Sequence, residues 1–189
     1  MEIKKLETLK FNPTTSWGLN GYTTNKIFEV TISEDSAACE FKLKEACAHY
    51  AKIWQTGPGD IERLNEIIEK GHSFGAFKNG ELLGWIICEL RNWNRSFYVE
   101  NILVDEKFRG QKIGEGLIKQ AIDEAKKLNC RIVELETQNT NYSAVRFYSK
   151  SGFNITGLNT KLYSDSKEIA LFMTFDLENH HSGMQILNN

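Results

Sequence analysis

No apolar run in this sequence approaches the ~20 residues that a membrane-spanning helix needs, so no membrane passage is expected. The opening stretch MEIKKLETLK lacks the continuous apolar core of a secretory signal. Cysteine is sparse and scattered. Cys39, Cys47, Cys88 and Cys130 form neither a CxxC pair nor a Cys/His spacing suited to a metal. Cys88 and Cys130 lie in apolar surroundings, which fits a reduced, cytoplasmic protein with buried thiols better than a disulfide scaffold. A charge of one sign is missing too. The 23 Lys and Arg against 25 Asp and Glu leave −2, which argues against a nucleic-acid partner. His49 and His72 stand alone, and His180 and His181 have no evident third ligand, so no metal is expected. There is no internal repeat and no linker-like stretch.

What is present is an ordinary globular composition: 41% hydrophobic and 25% charged residues in 189, enough for one domain with a substantial core. That domain is expected over residues 1–178, with an irregular segment at 1–25 and a flexible tail at 179–189. Alternation predicts a first strand over 26–33. Phe41, Leu43, Cys47, Tyr50, Ala51 and Trp54 suggest a long amphipathic helix over 36–55, broken by Gly57-Pro58-Gly59. Asp60 reads as the cap of a second helix that Gly71 closes. Residues 72–77 and 82–90 form a hairpin across Asn79-Gly80, and 97–104 is the next strand. A third helix spans 112–129, a strand 131–136 is reached by crossover, a short helix covers 142–151 with Asn141 as its cap, and strands follow at 153–156 and 168–176. The order describes a mixed α/β domain, with six to seven mostly antiparallel strands and about four helices.

The segment FRGQKIGEGL, residues 108–117, carries the chemistry. It joins an apolar strand to a helix, so unpaired backbone N–H groups and the positive end of the helix dipole converge on it. Gly110, Gly114 and Gly116 remove side chains that would hold a pyrophosphate away, while Arg109 and Lys112 add charge. The P-loop pattern GxxxxGK[ST] is absent, and so is the dinucleotide pattern GxGxxG; the spacing is Gln111, Gly114, Gly116. Packing of helix on sheet is the competing reason for the glycines.

Two segments together resemble the GNAT acetyltransferase superfamily: VENILVDEKFRGQKIGEGLI, similar to its acetyl coenzyme A motif, and LETQNTNYSAVRFYSKSGF, similar to the following strand, Asn-bearing loop and short helix. More narrowly, LRNWNRSFYVENILVDEKFRGQKIG and GFNITGLNTKLYS are similar to the streptothricin acetyltransferases. The resemblance covers about half the chain and fades in the first 80 residues, where substrate choice is partly made. It implies acetyl coenzyme A as co-substrate and a primary amine as acceptor.

On that resemblance, Ile102, Leu103 and Val104 offer backbone to the pantetheine arm, and a strand bulge near Leu103 supplies the donor for the thioester oxygen. Arg109, Gly110, Gln111, Lys112, Ile113, Gly114, Glu115 and Gly116 take the pyrophosphate. Asn141, Ala144, Phe147 and Tyr148 complete the cofactor set, with Phe147 expected to belong more to the core. A lysine-type amine, of reference pKa ~10.4, arrives protonated, so a base is required. Glu100, in an apolar strand beside Tyr98, Ile102 and Val104, is the candidate, with burial favouring proton uptake; Glu89 and Glu136 are rivals. The Tyr148 phenol is the candidate acid for the departing thiolate.

Trp85, Glu89, Trp93 and Tyr98 are the expected substrate contacts, since aromatic walls with carboxylates suit a small cationic molecule; core packing is the alternative for Trp85 and Tyr98. Acetylation of a protein N-terminus or lysine, or a non-catalytic acyl coenzyme A-binding module, stay open. A monomer and a homodimer are both compatible with the sequence.

Overall fold

The computed structural model describes residues 1–10 and 19–178, so the expectations for Pro13, Gly18 and the tail at 179–189 lie outside the described residues. Nine strands and three helices are present among them. They are β1 (Glu2–Lys5), β2 (Leu19–Glu34), β3 (Cys39–Gln55), α1 (Pro58–Ile68), β4 (Phe74–Lys78), β5 (Glu81–Arg91), β6 (Ser96–Val104), α2 (Ile113–Lys127), β7 (Ile132–Gln138), α3 (Tyr142–Lys150), β8 (Asn154–Asn159) and β9 (Ala170–Asp176). One sheet has the order β1-β4-β5-β6-β7-β9-β8, and β2 with β3 forms a separate two-stranded ribbon. The pairs β1/β4, β4/β5 and β5/β6 are antiparallel, while β6/β7 is parallel, as the crossover through α2 demands. Mixed α/β architecture with a seven-stranded sheet is thus as expected, with one helix fewer.

The missing helix is β3. Ala46, Ala48, Tyr50 and Lys52 are half-buried while Glu45, Cys47, His49 and Ala51 are exposed, a period of two. Ala, Glu and Lys favour helix locally, but pairing with β2 decides the outcome. The N-terminal segment is also more ordered than expected. Glu2–Lys5 forms the sheet-edge strand β1, and β2 already begins at Leu19.

The chain gathers into two compact units. One is drawn from the described residues of Met1–Asn20, Gln55–Leu135 and Thr174–Asn189, the other from Gly21–Trp54 and Glu136–Met173. In the first, Leu6, Leu9, Ile61, Leu64, Ile68, Trp85 and Ile87 make one core layer between α1 and β5. Strand alternation sends Ile86 and Cys88 to the other face, where α2 buries Ile113, Leu117, Ile118, Ala121, Ile122 and Ala125. Each such Ile or Leu side chain contributes roughly 1.5–3 kcal/mol on full burial. Helix α1 starts earlier than expected, at Pro58, whose missing N–H costs nothing at a first turn. Asp60 is therefore the third helical residue, and its Oδ2 accepts from Gly57 N at 2.8 Å. The Asn79-Gly80 turn joins β4 to β5 with both residues at positive φ, 52° and 83°, as a tight hairpin of this type requires.

The second unit holds the β2–β3 ribbon, whose turn is tied by Asp35 Oδ1 accepting from Ala37 N at 2.7 Å and Ala38 N at 2.9 Å. Its hub is Asn139, 3% exposed, whose Nδ2 donates to Phe28 O and whose Oδ1 accepts from Ile169 N.

Candidate functional site

Strand β6 changes character half-way along. Ile87 of β5 pairs with Asn101 and the next residue, Cys88, pairs with Val99, so Glu100 is an extra residue that bulges out of the ladder. The parallel ladder to β7 holds the pairs from Ser96↔Ile132 to Val99↔Leu135. The bulge expected near Leu103 lies three residues earlier. Leu103 has a different constraint: a Cβ on Gly84 would come within 2.8 Å of its carbonyl oxygen, so glycine allows β5 and β6 to close here.

Beyond Val104 the chain winds tightly. Asp105, 8% exposed, accepts from Lys107 N at 3.0 Å through Oδ1 and donates its own N–H to Leu83 O at 2.9 Å. A 3-10 turn, Glu106–Phe108, follows, and Arg109 Nε donates to Val104 O at 3.3 Å. Gly110 at φ 78° and Lys112 at φ 60° then turn the chain into α2. Lys112 is the residue before the helix, and no side chain caps it. The first i→i−4 bond is Gly116 N to Lys112 O, so the N–H groups of Ile113, Gly114 and Glu115 precede the helical ladder. Arg109, Gly110, Gln111, Lys112 and Glu115 are exposed around them, whereas Ile113 is buried as a core anchor. Gly116 has a packing role as well: a Cβ there would lie 2.9 Å from Ile3 Cδ1 of β1.

The expected base is reached by a partner that the sequence did not reveal. Glu100 is only partly buried, its side chain 25% exposed, and Arg63 Nη1 of α1 lies 2.5 Å from its Oε1. Among the rivals, Glu89 is ion-paired with Lys70 and Arg91. Glu136 Oε1 and Oε2 take the Tyr163 hydroxyl at 2.6 and 2.8 Å, and Gln138 Nε2 donates to that same hydroxyl. Burial, then the Glu136 carboxylate, pushes the Tyr163 phenol far above its ordinary range.

The expected substrate contacts separate. Trp85 is 4% exposed, and its Nε1 donates to Asn101 Oδ1 at 2.7 Å, so it supports β6 from the core instead of forming an open wall. Trp93 is 85% exposed. Tyr98 carries the Arg91 guanidinium over its ring at 3.6 Å. Burial pushes the Cys88 thiol far up, which removes it as a nucleophile.

In the second unit, Asn141 opens α3 as expected, its Oδ1 accepting from Ala144 N at 3.3 Å. Tyr148 is the buried member of the pair and Phe147 the half-exposed one, the reverse of the expected emphasis. The Tyr148 ring lies 5.3 Å from Phe147 and 6.0 Å from Phe153. No described helix is long and apolar enough to cross a membrane.

The model of the acetyltransferase (GNAT) family matches residues 34–153 of the chain. Streptothricin acetyltransferase from Streptomyces lavendulae is 29% identical over 166 residues, covering 83% of this chain and 86% of that protein. Streptothricin acetyltransferase A from Bacillus subtilis is 39% identical over 126 residues, or 65% and 71% of the two chains. Among solved structures, a Bacillus anthracis protein assigned as a streptothricin acetyltransferase, in complex with acetyl coenzyme A, superposes with a TM-score of 0.69 at 29% identity, over 93% of this chain and 96% of that one.

Proposed function

Since this chain belongs to the GNAT acetyltransferase family, we propose that the amine it acetylates is a primary amine of a small cationic molecule of the streptothricin type. The coarser activity is N-acetyl transfer with acetyl coenzyme A as co-substrate. One observation carries the site: a left-handed entry into α2, with no side chain capping it, follows the bulged strand β6. The acceptor reading is supported by the similarity to two streptothricin acetyltransferases over most of the chain.

The residues fit the coenzyme. The N–H groups of Ile113, Gly114 and Glu115 point to an anion seat, and exposed Arg109, Gln111 and Lys112 would hold the pyrophosphate. Ile102, Leu103 and Val104 would bind the pantetheine arm as a strand binds its neighbour. Asn141, Ala144 and Phe147 would line it from α3. Acetyl coenzyme A brings an acetyl group activated as a thioester.

The chain's own groups would do three things. The bulge at Glu100 interrupts the ladder, and a backbone N–H there would hold the thioester oxygen as charge develops on it. The Glu100 carboxylate, released from Arg63, would accept a proton from the substrate ammonium. The Tyr148 hydroxyl would give its proton to the departing sulfur.

The deciding experiment is thiol release from acetyl coenzyme A against streptothricin, aminoglycosides, polyamines and peptides. Turnover on streptothricin is expected. Turnover on peptides alone would replace the acceptor, and coenzyme binding with no turnover on any amine would make this a non-catalytic module.

A further inference from the structure

The second unit contains a cluster that the reaction above does not use. Tyr50 and Lys52 stand two residues apart on β3 and so project from the same face. Lys52 Nζ lies 2.5 Å from Glu168 Oε2 and 4.8 Å from the centre of the Tyr163 ring. The Tyr50 hydroxyl donates to Glu168 Oε1 at 3.1 Å and to Asp165 Oδ2 at 3.2 Å. Tyr22 stacks on Tyr50 with ring centres 6.2 Å apart, and Trp54 meets Tyr22 edge-on at 6.4 Å.

Three physical features define what such a cluster binds. The Glu168 side chain is 3% exposed and is fixed by Tyr50, so its charge is held in place and poorly hydrated. An ammonium against it and over the Tyr163 face gains both a charge-assisted hydrogen bond and a cation–π contact. The Lys52 side chain is 26% exposed, so solvent reaches part of the chain that fills the seat. Around this pair, Asp165 shares the Tyr50 hydroxyl with Glu168, and Glu136 holds the Tyr163 hydroxyl. The end of a lysine is chemically the end of any aliphatic primary amine, and the cluster already holds one.

We propose that this cluster is an alkyl-ammonium seat for the acceptor, suited to a diamine or polyamine-like chain, and that Lys52 is its resident occupant, displaced when that chain binds. The proposal deepens the reading of the protein as an amine acetyltransferase and rests on it for the word acceptor, but the seat can be tested by binding alone.

The probe is cadaverine, titrated calorimetrically into the full chain in the absence of coenzyme. The wild type should bind it, Glu168→Gln should weaken binding by about tenfold, and Lys52→Ala should tighten it by a similar factor. Removing Lys52 leaves a buried carboxylate bare, and Lys52→Ala could fail to fold for that reason. Glu168→Gln, isosteric and uncharged, keeps the test decisive, with retained acetyl coenzyme A binding as the measure of folding. A folded Glu168→Gln variant that binds cadaverine like wild type, or a wild type that does not bind it at millimolar concentration, overturns the seat.

Thiol release separates this failure from the failure of the functional reading. In an active enzyme, Glu168→Gln should raise KM for a cationic acceptor and leave kcat and the acetyl coenzyme A KM nearly unchanged. If wild type turns over the acceptor and that KM does not move, the seat is wrong and the activity stands. If wild type binds cadaverine in a Glu168-dependent way but acetylates no amine, the seat stands and the activity is wrong.

Discussion

The Arg63 guanidinium lies 2.5 Å from the Glu100 carboxylate, joining α1 to the one residue that bulges from β6. The carboxylate proposed to accept a proton is thus held by a cation. Glu100→Gln should lower kcat by about 10²-fold or more while leaving the acetyl coenzyme A KM in place. The alternative is that Glu100 serves only to anchor α1. In that case Glu100→Gln and Arg63→Met would lower the melting temperature by similar amounts, and steady-state rates corrected for folded enzyme would not change.

Tyr148→Phe removes one hydroxyl and keeps the ring that meets Phe147 and Phe153, so the fold around α3 should persist. If the hydroxyl gives the proton to the leaving sulfur, turnover should fall by about 10²-fold with coenzyme affinity unchanged. Isothermal titration with coenzyme A and single-turnover thiol release measure the two quantities separately. An unaltered rate would take Tyr148 out of the mechanism.

Lys112 spends backbone energy at the entrance to α2. A residue with a Cβ held at φ 60° carries about 1–2 kcal/mol of strain that glycine would not, yet it puts an exposed lysine immediately before the uncapped N–H groups. Lys112→Gly should therefore raise the melting temperature and raise the acetyl coenzyme A KM at once. Gly110→Val should do harm by conformation alone, because at φ 78° a side chain is strained although nothing lies within 4 Å of its Cβ position. Thermal denaturation paired with coenzyme titration reads both effects. A Lys112→Gly variant that loses stability would show that the left-handed conformation is not the cost assumed.

These elements differ in how far they could be read beforehand. The segment from β6 through α2 to β7 was legible because each signal is local: apolar alternation, glycines at the turn, then a period near 3.6 ending before the next apolar run. Asn141 could be read as a cap for the same reason, since its partner Ala144 is three residues away. β3 was misread because Ala, Glu and Lys report helix propensity, while its strand state depends on pairing with β2, which no short window contains. That misreading also hid Tyr50 and Lys52, which share a face only in a strand. Arg63 gave no signal at all, being 37 residues from Glu100. For Trp85 the sequence leaves substrate wall and core packing both open, because an aromatic residue near a strand end looks the same whether it faces solvent or core, and the structure places it in the core.

Lys5 and Glu124 join the edge strand β1 to α2, and their ion pair sets an acid limit on the first unit. Burial by itself opposes ionisation of Glu124, but the Lys5 hydrogen bond and charge, with Lys127 and His72 behind them, hold its carboxyl below the usual range. A folded-state value below the unfolded one means that the native carboxylate releases its proton more readily than the unfolded chain does. The resulting stability is present in full above the unfolded value, ~4.3, and is lost as pH falls through the lower folded value. Lys5 is half-exposed, so solvent screening keeps the pair's coupling near about 1 kcal/mol. A double-mutant cycle of Lys5→Met and Glu124→Gln, followed by urea denaturation, should find that coupling at pH 7 and find it fading as the pH falls below the unfolded carboxyl value of ~4.3. Coupling that persists unchanged in acid would mean that packing of the lysine stem, and not its charge on Glu124, holds β1 to the helix.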